Sequence, residues 1–181
     1  MNLLFRLILV VIAGWFGGRA GFAGGFLGES RLRLRVWPTD LDINLHMTNA
    51  RYFSIMDLGR LDLLVRSGLV PVLWRRRWQP VLGAATVRFR RPLAPFRRFT
   101  LTSRVLCWDE RWFYIEHRIE TASGMAALAV MQGAFVGASG TVPPAEVLAA
   151  AGDRRESPPM PDYVAAWRGH ALPLDRPLPA E

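Results

Sequence analysis

The chain of 181 residues contains no lysine, a single cysteine and only three histidines. Cys107 has no partner for an internal disulfide and cannot build a thiolate zinc cluster, so the fold must hold through its own core. His46, His117 and His170 are too dispersed to form a metal motif, and no resident metal or cofactor is expected. Neither a collagen-like period nor a tandem repeat is present. At 51% hydrophobic and 21% charged residues, the chain is too apolar for a disordered class. Its length fits one ordinary domain with residues left for extensions.

All 23 basic residues are arginines, set against 15 acidic ones for a net charge of +8. Guanidinium forks suit phosphates and carboxylates, so anionic lipid or a phosphorylated group is a natural partner. Nucleic acid is not expected, because no recognised binding module accompanies the charge.

The N-terminus places Arg6 before an uncharged apolar run from Leu7 to Gly18. A spanning helix needs about 20 apolar residues, which the run approaches only if Leu3 to Phe5 extend it and Arg6 snorkels. The primary reading is a membrane anchor or membrane-dipping helix; a cleaved signal peptide and a buried helix are the alternatives. A glycine-rich link, residues 17–28, follows. Arg31 to Trp37 alternates with period two, as a half-buried strand does. Asn49 to Ser67 reads as one long helix ending at Gly68. Four strands follow as a meander, at 79–91, 99–108, 111–121 and 125–136, the last three joined by short turns. Thr141 is placed to cap a helix with Pro143 and Pro144 in its first turn, and a further short helix is expected near 162–168. The division is 1–28 as hydrophobic segment and link, 29–155 as the main domain, and 156–181 as a proline-rich tail. An antiparallel sheet curled around one long helix is an α+β arrangement of the hotdog type. Its free edges suggest a homodimer or a dimer of dimers.

At about 100° per residue, the long helix places Arg51, Asp62 and Arg66 on one solvated stripe. Asp57 and Arg60 fall on the apolar side and should pair, because an isolated buried charge is costly. Asp57 is then either half of a structural ion pair or a carboxylate facing a reaction site. The densest polar chemistry precedes this helix. Asp40, Asp42, Asn44 and His46 occupy every second position and would project to one side of an extended loop. They would converge on a helix N-terminus, whose free N–H groups can polarise a carbonyl. Metal binding by the same residues and simple helix capping are the competing readings.

The run Asp40-Leu-Asp-Ile-Asn-Leu-His-Met-Thr-Asn-Ala-Arg-Tyr52 resembles the D-L-D-x-N-x-H-x-x-N-x-x-Y segment of hotdog thioesterases. It is found in plant acyl-carrier-protein thioesterases and, more loosely, in the 4-hydroxybenzoyl-CoA group. The likeness is greatest to the thioesterase-superfamily (THEM) proteins, the sixth member's family in particular. It extends through Leu106-Cys-Trp-Asp-Glu-Arg-Trp-Phe-Tyr-Ile-Glu116. The resemblance implies a hotdog fold and hydrolysis of acyl thioesters, with coenzyme A or acyl carrier protein as part of the substrate. Asp42 stands at the position of a catalytic aspartate, Asn44 and His46 at those of catalytic asparagine and histidine, and Asp57 near a helix carboxylate used by related enzymes. The family's frequent glycine before the histidine is Leu45 here.

Other signals are weaker. Cys107 is read as facing inward with Leu101, Ser103 and Val105, where a papain-like partnership with His46 and Asn44 is conceivable but a small core residue is commoner. His117 shares an apolar face with Phe113, Ile115 and Ile119 and reads as a core histidine. Arg75 to Arg77, between Trp74 and Trp78, and the set Arg88, Arg90, Arg91, Arg97 and Arg98 form the basic concentration. Arg88, Arg90 and Arg91 are the candidate holders of coenzyme A phosphates, with an acidic carrier protein or anionic lipid as the other fits. The expected protein is a membrane-associated dimer facing the cytoplasm that hydrolyses fatty acyl thioesters. The alternatives are a non-catalytic acyl-lipid binder of the same fold and, less well matched, an enoyl-thioester hydratase.

Overall fold

The computed structural model describes residues 3–16 and 25–169; part of the glycine-rich link, the end of the tail and His170 lie outside them. The elements run α1 (Leu3–Phe16), β1 (Glu29–Arg35), α2 (Asn49–Arg66), α3 (Val70–Arg76), β2 (Gln79–Phe89), β3 (Arg98–Trp108), β4 (Phe113–Thr121), β5 (Gly124–Gly137), β6 (Gly140–Val142), α4 (Pro144–Ala150) and α5 (Asp162–Gly169). The sheet is antiparallel in the order β1-β3-β4-β5-β2, with β6 added to the end of β5. It curls around α2, whose Ile55, Met56 and Leu58 meet Leu101, Ile119 and Met131 in a fully buried core. The hotdog arrangement expected from the sequence is the one found, but the four strands do not form a meander: β2 crosses over to pair with β5, and β1 takes the place beside β3.

Strand alternation decides this packing. In β4, Phe113, Ile115, His117 and Ile119 point to the concave face beneath α2, while Glu116 and Arg118 point outward. The helix approaches the sheet closely at Gly59, where an added Cβ would overlap Ser103 Oγ and stand 2.9 Å from Leu101 Cδ2. Gly59→Ala should therefore destabilise the protein by about 1–3 kcal/mol through overpacking, visible as a lower Tm.

Pro71 lies beyond the end of α2, in the first turn of the additional helix α3, where its missing N–H costs nothing. Two local expectations are corrected. Thr141 caps no helix: it lies in β6 opposite Val136, and α4 starts at Pro144 without a side-chain cap. Cys107 does not face inward with Val105. A bulge between the two turns it to the convex face, where it is buried with Tyr114, Val130 and Val164 of α5.

Candidate functional site

Residues 38–48 do not form an extended loop. A 3-10 turn at Pro38–Asp40 is followed by a tight reversal that pairs Leu41 with Met47. Asp42 makes this reversal: its N–H donates to the His46 carbonyl at 2.9 Å, and its Oδ1 accepts the Asn44 N–H at 2.9 Å and the His46 N–H at 3.4 Å. Leu45 takes a left-handed conformation, φ 58°, which glycine would adopt without the steric cost of a Cβ. Because Leu45 is largely exposed, Leu45→Gly should remove backbone strain and raise Tm slightly, an effect of about 1 kcal/mol. Asp42, Asn44 and His46 are all solvent-exposed, at the N-terminal end of α2.

Asp40 departs from the expected common side. It turns inward, 1% exposed, and its Oδ2 accepts Arg6 Nη2 of α1 at 2.5 Å and the Trp37 N–H at 2.8 Å. Its Oδ1 lies 3.1 Å from Arg51 Nε, and its carbonyl accepts the Thr48 N–H just before α2. The reversal thus ties the loop, the start of α2 and the N-terminal helix into one buried cluster. Among the described residues no group of side chains with metal-binding geometry is present.

The charges of α2 are also sorted differently from the wheel. Asp62 is fully buried, bonded to Ser30 Oγ at 2.7 Å and Arg66 Nε at 2.7 Å. The reason is α1, which covers that flank: a Cβ on its Gly14 would touch Val65 and Asp62. Asp57 does pair with Arg60, as expected, but its carboxylate is 61% exposed while the Arg60 side chain is 19% exposed. Burial pushes the Arg60 guanidinium down to about 10, still protonated at neutral pH.

Beneath the C-terminal half of α2, Asp57, Arg60, Leu61 and Leu64 stand over Val81, Leu82, Ile115 and Phe135 around an apolar cavity of about 350 Å³. This cavity is distant from the chain's own Asp42 loop. Asp57 lies eight residues along α2 from its start, and each residue adds about 1.5 Å of rise. The free edge strand β2 spans both places: Pro80 to Leu82 line the cavity, while Phe89 packs on Tyr52 in the first turn of α2, centroids 4.9 Å apart. Among the described residues nothing pairs with its outer edge, and Val81, Leu82 and Phe89 of this strand are exposed.

Arg88, Arg90 and Arg91 are exposed at the α2 N-terminal end of β2, and Arg91 bonds the Ser123 carbonyl. Arg75 and Arg76 end α3 near the start of that strand, so the basic set divides between the two ends of the sheet. Trp74 is exposed but Trp78 is buried in the core, so the two do not form a joint aromatic surface. Burial, then the Asp109 charge, pushes the Cys107 thiol up to about 11, and with its convex placement it has no part in a nucleophilic site.

His117 is the buried group that sequence pattern identified correctly. Its Nδ1 lies 2.8 Å from Ser103 Oγ. Burial first and the Arg60 charge second push it from 6.5 down to about 3. An unfolded chain takes up this proton near its ordinary value, the folded one only near pH 3. The stability tied to this neutral imidazole is therefore complete above about pH 6.5 and is lost as pH falls toward 3. His117→Gln should flatten the dependence of Tm on pH across that window.

A family model described as the Thioesterase-like superfamily matches residues 36–168. Protein THEM6 of Xenopus laevis is 33% identical over 135 residues, covering 73% of this chain and 63% of that protein. Protein THEM6 of Danio rerio is 38% identical over 105 residues, covering 58% and 52%. The chain thus spans rather more than half the length of these two relatives. Among solved structures, a probable thioesterase from Bartonella henselae superposes with a TM-score of 0.58 at 20% identity, covering 64% of this chain and 98% of that one.

Proposed function

Because this chain belongs to the thioesterase-like superfamily, we propose that it hydrolyses fatty acyl thioesters at a site shared between two copies. The observation that supports this reading is the arrangement along β2. The exposed Asp42, Asn44 and His46 loop lies at one end, and the apolar cavity at the other. Antiparallel pairing of β2 with the same strand of a second copy would set each loop beside the other copy's cavity.

The acyl chain would occupy the cavity under α2, and the thioester carbonyl would face the start of the partner's α2, where free N–H groups polarise it. Asp42 would activate water or attack the carbonyl directly, with Asn44 and His46 orienting the substrate. Asp57 stands exposed at the cavity mouth, within reach of the same thioester. Arg88, Arg90 and Arg91 would hold the phosphates of coenzyme A, or the acidic surface of an acyl carrier protein; no cofactor beyond that carrier is needed. Such carriers agree with a domain facing the cytoplasm.

The test is thiol release from a panel of acyl-CoAs of increasing chain length. One length should be preferred, set by the cavity. Release lacking from a dimer that still retains acyl chains would favour a non-catalytic acyl-lipid binder instead. Mixing an Asp42→Asn variant with a cavity-blocked Leu64→Trp variant, each inactive alone, should restore about a quarter of the parent rate, since half the dimers are hybrids with one intact site. No restoration from demonstrated hybrids would place the site within a single chain.

A further inference from the structure

We propose that α1 lies flat in the surface of an anionic phospholipid leaflet while remaining docked on the folded domain. The proposal stands apart from the thioesterase reading. A helix apolar all the way round is ordinarily buried on every side, and α1 is buried on one side only. With Arg6 set at zero and about 100° per residue, Arg6, Val10, Gly14, Leu3, Leu7 and Val11 occupy one half of its circumference. This half packs on α2, with Arg6, Val10 and Gly14 buried. The other half carries Leu4, Phe5, Ile8, Leu9, Ile12 and Ala13, all exposed.

The single charge of α1 faces the protein. Arg6 is 2% exposed and paired with Asp40. A helix that crossed a bilayer would have to break this buried pair, and at 14 residues it would rise only about 21 Å of the roughly 30 Å hydrocarbon core. Among the described residues no helix is long and apolar enough to cross a membrane. Docking on the domain and lying in the interface are compatible; docking and spanning are not.

Charge complementarity selects the occupant. Leu9 and Ala13 form one wall of a broad groove of about 1090 Å³ whose other wall is the arginine-bearing face of β1 and β3. Arg31 is held by Glu29, and Arg104 and Arg118 share Glu116. Glu120 is the other acid of the groove. Among the described residues, Arg33, Arg35 and Arg98 make no side-chain ion pair. An apolar helix face running into unpaired guanidinium groups matches acyl chains beside phosphate headgroups, the pattern of helices that lie in the membrane interface.

The experiment is co-flotation of the full chain with vesicles of phosphatidylcholine alone and of phosphatidylcholine mixed with phosphatidylglycerol. Binding should favour the anionic vesicles, weaken at high salt and be released by alkaline carbonate. The triple variant Arg33→Ser, Arg35→Ser, Arg98→Ser should lose about a hundredfold in affinity, at about fivefold per arginine. Ile8→Asp with Ile12→Asp should abolish flotation while Tm stays at the parent value, because both side chains are exposed. If that pair fails to fold, Leu4→Asn supplies the apolar arm with a several-fold loss, and full binding by it overturns the proposal. Equal binding to neutral vesicles, or retention after carbonate, overturns it as well. So does an Ile8→Asp, Ile12→Asp variant that floats normally but loses self-association, which would make this face a contact between copies.

Discussion

Replacing Asp42 by asparagine should lower kcat/KM for acyl-CoA hydrolysis by about 10²–10⁴-fold, the range contributed by a positioned general base, while leaving Tm within about 1 kcal/mol of the parent's stability. The choice of asparagine matters. Asp42 Oδ1 closes the reversal by accepting the N–H groups of Asn44 and His46, and an amide oxygen can still accept both. The variant therefore removes the charge and keeps the loop. Alanine would remove both, and its inactivity would be ambiguous. Steady-state thiol release beside a thermal melt separates the two causes. An Asp42→Asn protein within a few-fold of the parent rate would end the assignment of Asp42 to the chemistry and direct attention to Asp57, the exposed carboxylate at the cavity mouth.

Asp40→Ala should destabilise the fold by about 3–5 kcal/mol, the cost of stranding a buried charge, against a total of about 5–15 kcal/mol for a domain. The stranded group is Arg6, 2% exposed, whose Nη2 would keep only the Arg35 carbonyl, 3.1 Å away. Arg51, a quarter exposed, can turn to water and should contribute less. Arg6→Met combined with Asp40→Asn should recover much of the loss. It removes the buried charges together, and the new amide can still accept the Trp37 N–H. A double variant as unstable as Asp40→Ala would show that the loop needs the carboxylate for reasons other than pairing. Because the Asp40 carboxylate also holds the Trp37 N–H and Arg51 in the first turn of α2, the single variant should weaken hydrolysis as well, by loosening the loop beside α2.

Sequence alone determined the strands and their central helix, but not the place of β2, which pairs with β5 rather than with its chain neighbour β3. Alternation in 31–37, 99–108 and 111–121 marks strands with one buried face, the long apolar-periodic run at 49–67 marks the helix, and the short turns at 109–112 and 122–123 fix which strands are neighbours. These are local signals, legible because side-chain direction follows directly from backbone period. The burial of His117 was legible for the same reason. So was the family, carried by two linear motifs that keep their spacing whatever their conformation.

What tertiary structure decided is wherever one element's exposure depends on another distant in sequence. The helical wheel puts Asp62 in solvent because a wheel knows nothing of α1, which arrives from about 50 residues upstream to cover it. Alternation along residues 40–46 suggests four groups on one side. The backbone instead reverses at Leu45, sending Asp40 inward to Arg6 and leaving Asp42, Asn44 and His46 outside. One inserted residue at the β3 bulge moves Cys107 to the opposite face, since a period of two inverts with every slip. Motif spacing identified the residues around the proposed site. Their separation from the cavity at the far end of β2 was not visible in it, because the distance between two ends of one helix acquires meaning only when a sheet edge is seen to join them.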